Sequence, residues 1–409
     1  MAKLRVGKPV WLEGTKGRPR RSYPSLTGDW DGDVVIVGAG MTGSATAALF
    51  AGHGIRVAVV DAALAARGST AASTALLLRE PDKSLGELGR KYGGAAARRI
   101  WRLSHAAARD LVRTLRRLDI DCDLDSRDSV YFTVGADAVA PLRAELALRH
   151  RAGFRGQWLT PGALRRLTGM PARGGILTRG NAQFDPFKAS LGLLRAAAAR
   201  GADVFERTAV SRIETTRSGV RVVTPGGRLT ARRVIVATGY AVPQFEPLVG
   251  RFEMRHTYVL ATAPLSGAQQ RELGFGTVMA WDTERPYHYL RWTPDRRLLI
   301  GGCDRPVVAG RRRAAALKAA TGELRGYFER LLPALADLRV ELAWEGLFAV
   351  TPDSLPFIGP HRRYPHHLFA LGYGGNGMTF GFLAARLLLE QWQGRVSEDH
   401  DLFAFGRDL

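Results

Sequence analysis

A glycine-rich turn between two short apolar segments constrains the fold of this chain more than any other feature. Residues 33–37 (DVVIV) and 56–60 (RVAVV) have the length and β-branched composition of strands that are buried on both faces. Between them lie the turn Gly38-Ala-Gly40-Met-Thr-Gly43 and a small apolar helix that ends at Gly54. Links this short predict a parallel β–α–β unit.

Each glycine of this turn has a separate role when such a unit binds a dinucleotide. Gly38 makes the tight turn, Gly40 lets the backbone approach a pyrophosphate, and Gly43 lets the helix lie close to the sheet. The helix N terminus then presents free N–H groups and the positive end of its dipole to the phosphates. Asp61 follows the second strand, where an acid accepts hydrogen bonds from ribose hydroxyls and disfavours the 2′-phosphate of NADP.

Two later segments favour FAD over NAD. Residues 234–239 (VIVATG) form a predicted buried strand that runs into Ala237-Thr238-Gly239, an arrangement typical of the strand beside the cofactor in flavoproteins. Residues 371–379 (LGYGGNGMT) place a glycine cluster before the last long helix, which makes a nest of N–H groups for an anion. We expect this nest to face the pyrimidine end of the flavin, where negative charge accumulates on reduction.

Four stretches, at residues 33–61, 68–75, 234–239 and 345–379, together resemble the FAD-dependent D-amino-acid oxidase superfamily, which includes glycine oxidase and sarcosine oxidase. The arm motif Tyr23-Pro-Ser-Leu-Thr-Gly-Asp29 is similar to one in γ-glutamylputrescine oxidase-like members. The resemblance implies hydride transfer to flavin N5 from a carbon that bears nitrogen. The imine would then be hydrolysed, and oxygen or another acceptor would reoxidise the flavin. The expected substrate is a small amine or amino acid, with the particular compound left open.

The resemblance also implies an α/β fold with two interleaved domains. One is a Rossmann-type FAD-binding domain, and the other is a substrate domain built on a mixed or antiparallel sheet. The predicted boundaries are 1–32 for an N-terminal arm, 33–84, 181–250 and 341–409 for the FAD-binding domain, and 85–180 and 251–340 for the substrate domain. Sarcosine oxidases attach the flavin to a cysteine near the C-terminal motif, but no cysteine lies between Trp344 and Leu371. Non-covalent FAD is therefore expected.

The predicted FAD-binding residues come from the motifs and from the resemblance. The resemblance implies that Arg67, Ser69, Thr70 and Thr74 contact the pyrophosphate and the flavin, and that the backbone of Val210 holds the adenine. The complete predicted set is Gly38, Gly40, Met41, Thr42, Gly43, Asp61, Ala62, Arg67, Ser69, Thr70, Thr74, Val210, Ala237, Thr238, Gly239, Gly372, Gly374, Gly375, Asn376, Gly377, Met378 and Thr379.

Residues 287–292 (YHYLRW) are the main candidates to line a substrate site. In a strand, Tyr289 and Arg291 share one face, and a tyrosine–arginine face over a flavin can hold a carboxylate through charge-assisted hydrogen bonds. The alternative is an ordinary strand whose aromatic face packs in the core. His256, near the start of another strand, and Tyr373, inside the glycine cluster, are further catalytic candidates, although a lone histidine is more often structural.

The net charge of +21, from 59 basic and 38 acidic residues, would attract anions and nucleic acids without specificity. The basic residues are dispersed and no nucleic-acid-binding motif is present, so no specific nucleic acid partner is expected. One alternative is an FAD-binding protein whose main role is to bind tRNA or a membrane surface, which requires basic residues on one face. Another is an NADPH-dependent flavin monooxygenase, which needs a second complete GxGxxG site that the sequence lacks.

The cysteines and the apolar segments bear on metal binding and location. Cys122 and Cys303 are far apart and have no metal-ligand spacing, so neither a metal site nor a disulfide is expected. No apolar run is long enough to span a bilayer, and the basic N-terminal residues lack the apolar core of a signal peptide. The sequence therefore predicts a cytoplasmic protein without a transmembrane segment.

Overall fold

Two β-sheets organise the chain, which a computed structural model describes over residues 5–15, 22–269 and 278–407. The strands of these ranges are β1 (Trp30–Val37), β2 (Val57–Val60), β3 (Leu76–Leu77), β4 (Asp125–Thr133), β5 (Gln157–Leu159), β6 (Gly174–Gln183), β7 (Asp203–Phe205), β8 (Arg212–Thr215), β9 (Val220–Thr224), β10 (Gly227–Gly239), β11 (Glu253–Thr262), β12 (Val278–Asp282), β13 (Tyr289–Trp292), β14 (Leu298–Pro306), β15 (Val340–Val350), β16 (Phe357–His361) and β17 (Tyr364–Leu371).

Helices cover both sheets. They are α1 (Met41–Ala51), α2 (Ser69–Ala72), α3 (Leu85–Arg117), α4 (Val139–Arg151), α5 (Pro161–Thr168), α6 (Pro186–Ala198), α7 (Glu246–Val249), α8 (Arg312–Leu331), α9 (Gly377–Trp392) and α10 (Glu398–Asp401). No helix in the described ranges is both long enough and apolar enough to cross a membrane.

The first sheet runs in the order β16–β17–β10–β1–β2–β7, with the hairpin β8–β9 attached to β10. β1 pairs in parallel with β2 and β10, and β10 pairs in parallel with β17. Val34 and Ile36 lie in the apolar cluster on one face of β1, while Val35 lies in the cluster on the other. β1 is therefore buried on both faces, as its continuous apolar sequence predicts. This is the predicted Rossmann-type layer.

The second sheet runs in the order β15–β11–β14–β13–β12–β4–β6–β3, with β5 paired to β6. Its described pairings are antiparallel except that of β12 with β4, which is parallel. Leu260, Leu290 and Ile300 of this sheet form an apolar cluster with Leu324 and Phe328 of α8, and all five side chains are fully buried. The prediction of a mixed second sheet is confirmed.

Three elements lie outside the domain that the sequence predicts for them. β15, inside the predicted FAD-binding range 341–409, is an edge strand of the second sheet, and β3, inside 33–84, joins that sheet too. α3, inside the predicted substrate range 85–180, contributes Ile100 and Trp101 to the core beneath the first sheet. Apolar patterning shows that a segment is buried but not which sheet it joins, so these boundaries are displaced from the predicted ones.

The N-terminal arm crosses the edge of the second sheet. Gly7 forms a β-bridge with Trp344, and the Val6 N–H donates to Glu345 Oε1 at 3.1 Å. The indole N–H of Trp11 donates to the Ser73 carbonyl at 2.8 Å. Within the predicted arm of residues 1–32, residues 1–4 and 16–21 lie outside the described ranges, and β1 already begins at Trp30.

Candidate active site

A cavity of about 770 Å³ is lined by both sheets. On one side it meets the carboxyl ends of β1, β2 and β10, and on the other it meets residues of β11, β13 and β15. The carboxyl ends of parallel strands are where open α/β sheets bind their ligands. The cavity therefore joins the nucleotide-binding edge of the first sheet to a wall of the second.

The turn before α1 has a backbone geometry that requires glycine. Gly38 has a φ of +107°, and a Cβ on Gly43 would lie 1.8 Å from the Gly38 carbonyl oxygen. Gly40 lines the cavity, and the next N–H, that of Met41, donates to Thr70 Oγ1 at 2.9 Å. α1 thus packs directly against the turn, and its N terminus opens into the cavity, where an anion can accept its N–H groups.

Asp61 lies at the same edge, directly after β2. Its Oδ2 accepts the Ala39 N–H and its Oδ1 accepts the Ala63 N–H, each at 2.8 Å. Burial raises the pKa of Asp61, these two N–H groups oppose the rise, and the nearby Glu206 carboxylate adds to it. The carboxylate is held in a fixed orientation, and its oxygens keep acceptor capacity for ribose hydroxyls.

Glu206 is a second carboxylate at this end, and it was not predicted from the sequence. It is fully buried, and it accepts the Ala65 N–H at 2.8 Å and the Ser22 hydroxyl at 2.9 Å. It therefore ties the loop after β2 to the N-terminal arm. No motif marks an acid that follows a three-residue strand such as β7.

The glycine loop before α9 binds a carboxylate of the protein itself. The Gly375 N–H donates to Asp82 Oδ2 at 2.7 Å, and Asn376 Nδ2 donates to Asp82 Oδ1 at 2.9 Å. Desolvation raises the pKa of half-buried Asp82 to about 6, with Asp304 adding to the rise and Lys83 and Arg285 opposing it. This carboxylate occupies donors of the nest that the sequence assigns to the flavin.

The second sheet supplies an aromatic and hydroxyl wall. Trp281, Tyr287 and Tyr289 line the cavity, with ring centroids 6.2 Å apart for Trp281 and Tyr287 and 5.9 Å apart for Tyr287 and Tyr289. The Tyr289 and Thr257 hydroxyls are hydrogen-bonded at 2.8 Å. Burial raises the pKa of both tyrosines, which keeps them neutral near pH 7. Asp304 lies beside this wall.

Arg291 lies outside the cavity, contrary to its predicted role as a substrate clamp. Its Nη1 donates to the carbonyl oxygens of Thr74, Ala75 and Phe184 at 2.8, 3.1 and 2.9 Å, and its side chain is fully buried. Its guanidinium carbon lies 5.1 Å from the centre of the Trp11 ring. Strand alternation places Arg291 on the same face of β13 as Tyr289. Arg291 lies two residues further along the strand, beyond the cavity, and there it fixes the backbone of residues 74–75.

His256 is also placed away from the cavity, whereas Tyr373 lines it. His256 is 1% exposed, and burial lowers its pKa, with the nearby Glu345 opposing the change and Arg313 adding to it. Adjacent residues of a strand point to opposite faces, so Thr257 faces the cavity and His256 does not. The Tyr373 hydroxyl donates to the Ala370 carbonyl, and burial raises its pKa.

Most of the predicted FAD-binding residues line the same cavity. They are Gly38, Gly40, Met41, Thr42, Asp61, Ala62, Ser69, Thr70, Thr74, Val210, Ala237, Thr238, Gly239, Gly374, Gly375, Asn376, Gly377 and Met378. Four do not: Gly43 packs on Gly38, Gly372 packs on Phe252 and Thr351, Thr379 donates its hydroxyl to the Leu78 carbonyl at 2.8 Å, and the Arg67 carbonyl accepts from Arg5.

Several lining residues were not predicted from the sequence, among them Glu80, Asp82, Thr257, Trp281 and Asp304. They come from a loop and three strands that are distant in sequence, and none belongs to a recognisable motif. Only the alternation along β11 and β14 could have suggested Thr257 and Asp304. Among the described residues, no three His, Cys, Asp or Glu side chains are grouped to hold a metal ion.

The parallel sheet, the glycine turn and the acid after β2 define a dinucleotide-binding protein, and the second sheet against its cavity is the arrangement of two-domain flavoenzymes. The profile of the DAO family, described as FAD dependent oxidoreductase, matches residues 33–391. The chain therefore belongs to the DAO family of FAD-dependent oxidoreductases. The predictions of FAD as cofactor and of an oxidoreductase are confirmed. The residues present fit FAD, since Gly40 lines the cavity without a side chain at the N terminus of α1, and Asp61 lies at the same edge of the sheet.

Known relatives and structures agree with this assignment. Gamma-glutamylputrescine oxidoreductase of Escherichia coli strain K12 is 28% identical over 91% of this chain and 86% of that protein. The crystal structure of glycine oxidase from Geobacillus kaustophilus has a TM-score of 0.78 at 22% identity, covering 93% of this chain and 100% of that chain. L-amino acid deaminase from Proteus vulgaris has a TM-score of 0.78 at 16% identity, covering 96% and 100%. These two structures confirm the fold.

Proposed function

We propose that this protein oxidises the C–N bond of a small amine or amino acid. The observation that carries the proposal is the continuity of one cavity from the glycine turn at Gly38 to the Tyr287–Tyr289 wall. A cofactor bound along the first sheet would place its reactive end against that wall. The named activities of the relatives, on gamma-glutamylputrescine and glycine, also support it.

The cofactor would be held by three parts of the cavity. The N terminus of α1, at Gly40 and Met41, would bind the pyrophosphate, and Asp61 would accept hydrogen bonds from the ribose. Thr238 and the loop at Gly374 would flank the flavin. When bound, FAD supplies a two-electron acceptor that takes the hydride from the carbon bearing nitrogen.

The remaining residues position the substrate and exclude water. The Trp281, Tyr287 and Tyr289 rings form an aromatic wall that would orient the reacting carbon. Holding the reacting groups in the correct orientation removes a large part of the activation barrier to hydride transfer. The hydrogen-bonded Thr257 and Tyr289 hydroxyls offer a donor and an acceptor to the substrate nitrogen. The nitrogen lone pair forms the C=N bond as the C–H bond breaks, and water then hydrolyses the imine to a carbonyl compound and a free amine or ammonia.

We further propose oxygen or another electron acceptor as the second substrate and the cytoplasm as the location. Cys122 and Cys303 are both free and buried, which suits a reducing compartment.

The test is an anaerobic titration of the purified holoprotein with amines, amino acids and matched 2-hydroxy acids, followed by the visible flavin spectrum. The expected result is bleaching by nitrogen compounds only, with a carbonyl product that a hydrazine reagent traps. The 2-hydroxy acids are the matched control for C–O oxidation. Bleaching by 2-hydroxy acids alone, or by no compound of the panel, would contradict the proposal.

A further inference from the structure

The charged residues that line the cavity all have the same sign. They are Asp61, Glu80, Asp82 and Asp304, and the lining contains no lysine, arginine or histidine within the described ranges. This composition is opposite to that of the whole chain, which has 59 basic and 38 acidic residues. Asp61 lies at the nucleotide end, which leaves three carboxylates at the end of the cavity where the substrate would react.

These three carboxylates differ in how far the protein neutralises them. Glu80 is 1% exposed and has a buried ion pair, with its Oε1 3.8 Å from Arg149 Nη1. Asp82 accepts the Gly375 N–H and the Asn376 amide, which are neutral donors. Asp304 lies beside the Thr257 hydroxyl, yet its buried Oδ1 has no hydrogen-bond partner among the described residues. Asp82 and Asp304 thus keep acceptor capacity for a ligand. Burial raises the pKa of both carboxyls, and a bound cation would offset that rise.

Cations near these two carboxylates lie outside the cavity lining. Lys83 and Arg285 act on Asp82 from a distance, and Arg255 and His288 act on Asp304. Arg285 is exposed, and its Nη1 donates to the Glu284 carbonyl at 3.0 Å.

A substrate carboxylate would have no matched partner in this cavity. Arg291, the arginine on the same strand as Tyr289, is committed to the carbonyls of Thr74, Ala75 and Phe184. An α-carboxylate would instead lie near Asp82 and Asp304. Repulsion between two negative charges about 6 Å apart, at an effective dielectric constant of about 20, weakens binding by about 100-fold.

We propose that the substrate is an amine that carries no carboxylate on the reacting carbon and that arrives as an ammonium ion. Asp82 and Asp304 hold its nitrogen, and one of these two carboxylates takes the proton from it, which frees the lone pair that forms the C=N bond. This inference rests on the proposed oxidation of a C–N bond and narrows its substrate class. Amino acids would then be poor substrates although the family includes amino-acid oxidases. The carboxylates of the cavity would select substrates by charge, and the Tyr287–Tyr289 wall would select them by shape.

The experiment compares amines with the amino acids from which decarboxylation would derive them. Holoprotein is titrated anaerobically with putrescine and ornithine, and with cadaverine and lysine, while flavin absorbance is followed. We expect each diamine to reduce the flavin with an apparent Kd at least about 10-fold below that of its amino acid. An apparent Kd for the amino acids that is equal to or lower than that for the diamines would overturn the inference and leave the proposed function intact. Loss of amino-acid reduction in Arg285→Gln would then identify Arg285 as the clamp.

Variants and unreactive ions complete the test. Asp304→Asn should raise the diamine Kd about 10-fold or more and shrink the diamine preference. Asp137→Asn should change neither, because Asp137 is exposed and does not line the cavity. Tetramethylammonium and butyrate report binding through the spectrum of oxidised flavin. If no compound reduces the flavin, the proposed function fails. Tighter binding of tetramethylammonium than of butyrate would still support the inferred preference for cations. Tighter binding of butyrate than of tetramethylammonium would refute it.

Discussion

Replacing Gly43 by alanine tests the link between the glycine turn and cofactor binding. The added Cβ would lie 1.8 Å from the Gly38 carbonyl oxygen and 3.4 Å from Ile36 Cγ2. The first contact involves backbone on both sides, so no side-chain rotation can relieve it. α1 must move away from β1 by more than about 1 Å, since packed interiors leave no spare volume.

This displacement has a calculable effect on FAD. The N terminus of α1 meets the cavity at Gly40 and Met41, where the Thr70 hydroxyl holds the Met41 N–H. Loss of aligned hydrogen bonds to a charged pyrophosphate costs about 1.5–3 kcal/mol of binding free energy, which weakens FAD binding about 10- to 100-fold. Overpacking of the α1–β1 contact adds about 1–3 kcal/mol of lost folding stability. Gly43→Ala should therefore purify with little flavin and melt at a lower temperature.

The assay measures the flavin-to-protein ratio and the FAD Kd from quenching of flavin fluorescence. The matched control is Gly322→Ala, because Gly322 lies on α8 with no atom within 4 Å of a built Cβ. In an exposed helix that change should stabilise the protein by about 0.5–1 kcal/mol and leave FAD affinity unchanged. A Gly43→Ala protein that binds FAD within about 3-fold of the native protein would refute the argument.

Three further predictions follow from the same site. Arg291→Met leaves the carbonyls of residues 74, 75 and 184 without their donor, which costs about 1–3 kcal/mol of stability for each carbonyl before repacking. Both the melting temperature and the FAD affinity should therefore fall. Unchanged values would show that Arg291 does not position these residues. Because the pKa of Asp82 is raised to about 6, its carboxylate is neutral below that pH and ionised above it, so amine affinity should rise from about pH 5 to about pH 7. In Asp82→Asn that rise should become smaller, because burial also raises the pKa of the remaining Asp304. An unchanged rise would assign it to another group. Acid precipitation should release all flavin into the supernatant, since neither Cys122 nor Cys303 lines the described cavity; flavin in the pellet would indicate a covalent link.

The dinucleotide-binding half could be predicted from the sequence because its determinants are local. Gly38, Gly40 and Gly43 lie within one turn, and Asp61 stands at the end of the next strand. Each is required by backbone geometry that a short motif encodes. The same holds for the segment 234–239, whose apolar strand and terminal glycine appear together in the sequence.

The substrate half could not be predicted in the same way, because its residues meet only through tertiary packing. Asp82 reaches the site by accepting the Gly375 N–H, a contact between residues on opposite sides of the chain's midpoint. The alternation of residues 287–292 correctly placed Tyr289 and Arg291 on one face. Alternation along a strand predicts which face a side chain lies on, but it does not predict how far along the strand the cavity extends. Arg291 lies on the predicted face, beyond the end of the cavity.

The bridge between Gly7 and Trp344 bears on how the protein folds. The arm precedes its partner strand β15 by more than three hundred residues, and the glycine loop at 374–376 follows later still. Long-range pairings of this kind form slowly, because the intervening chain must close first. FAD stabilises only the folded form, and its cavity includes residues 374–378, so the cofactor can stabilise the fold only after these residues have joined it.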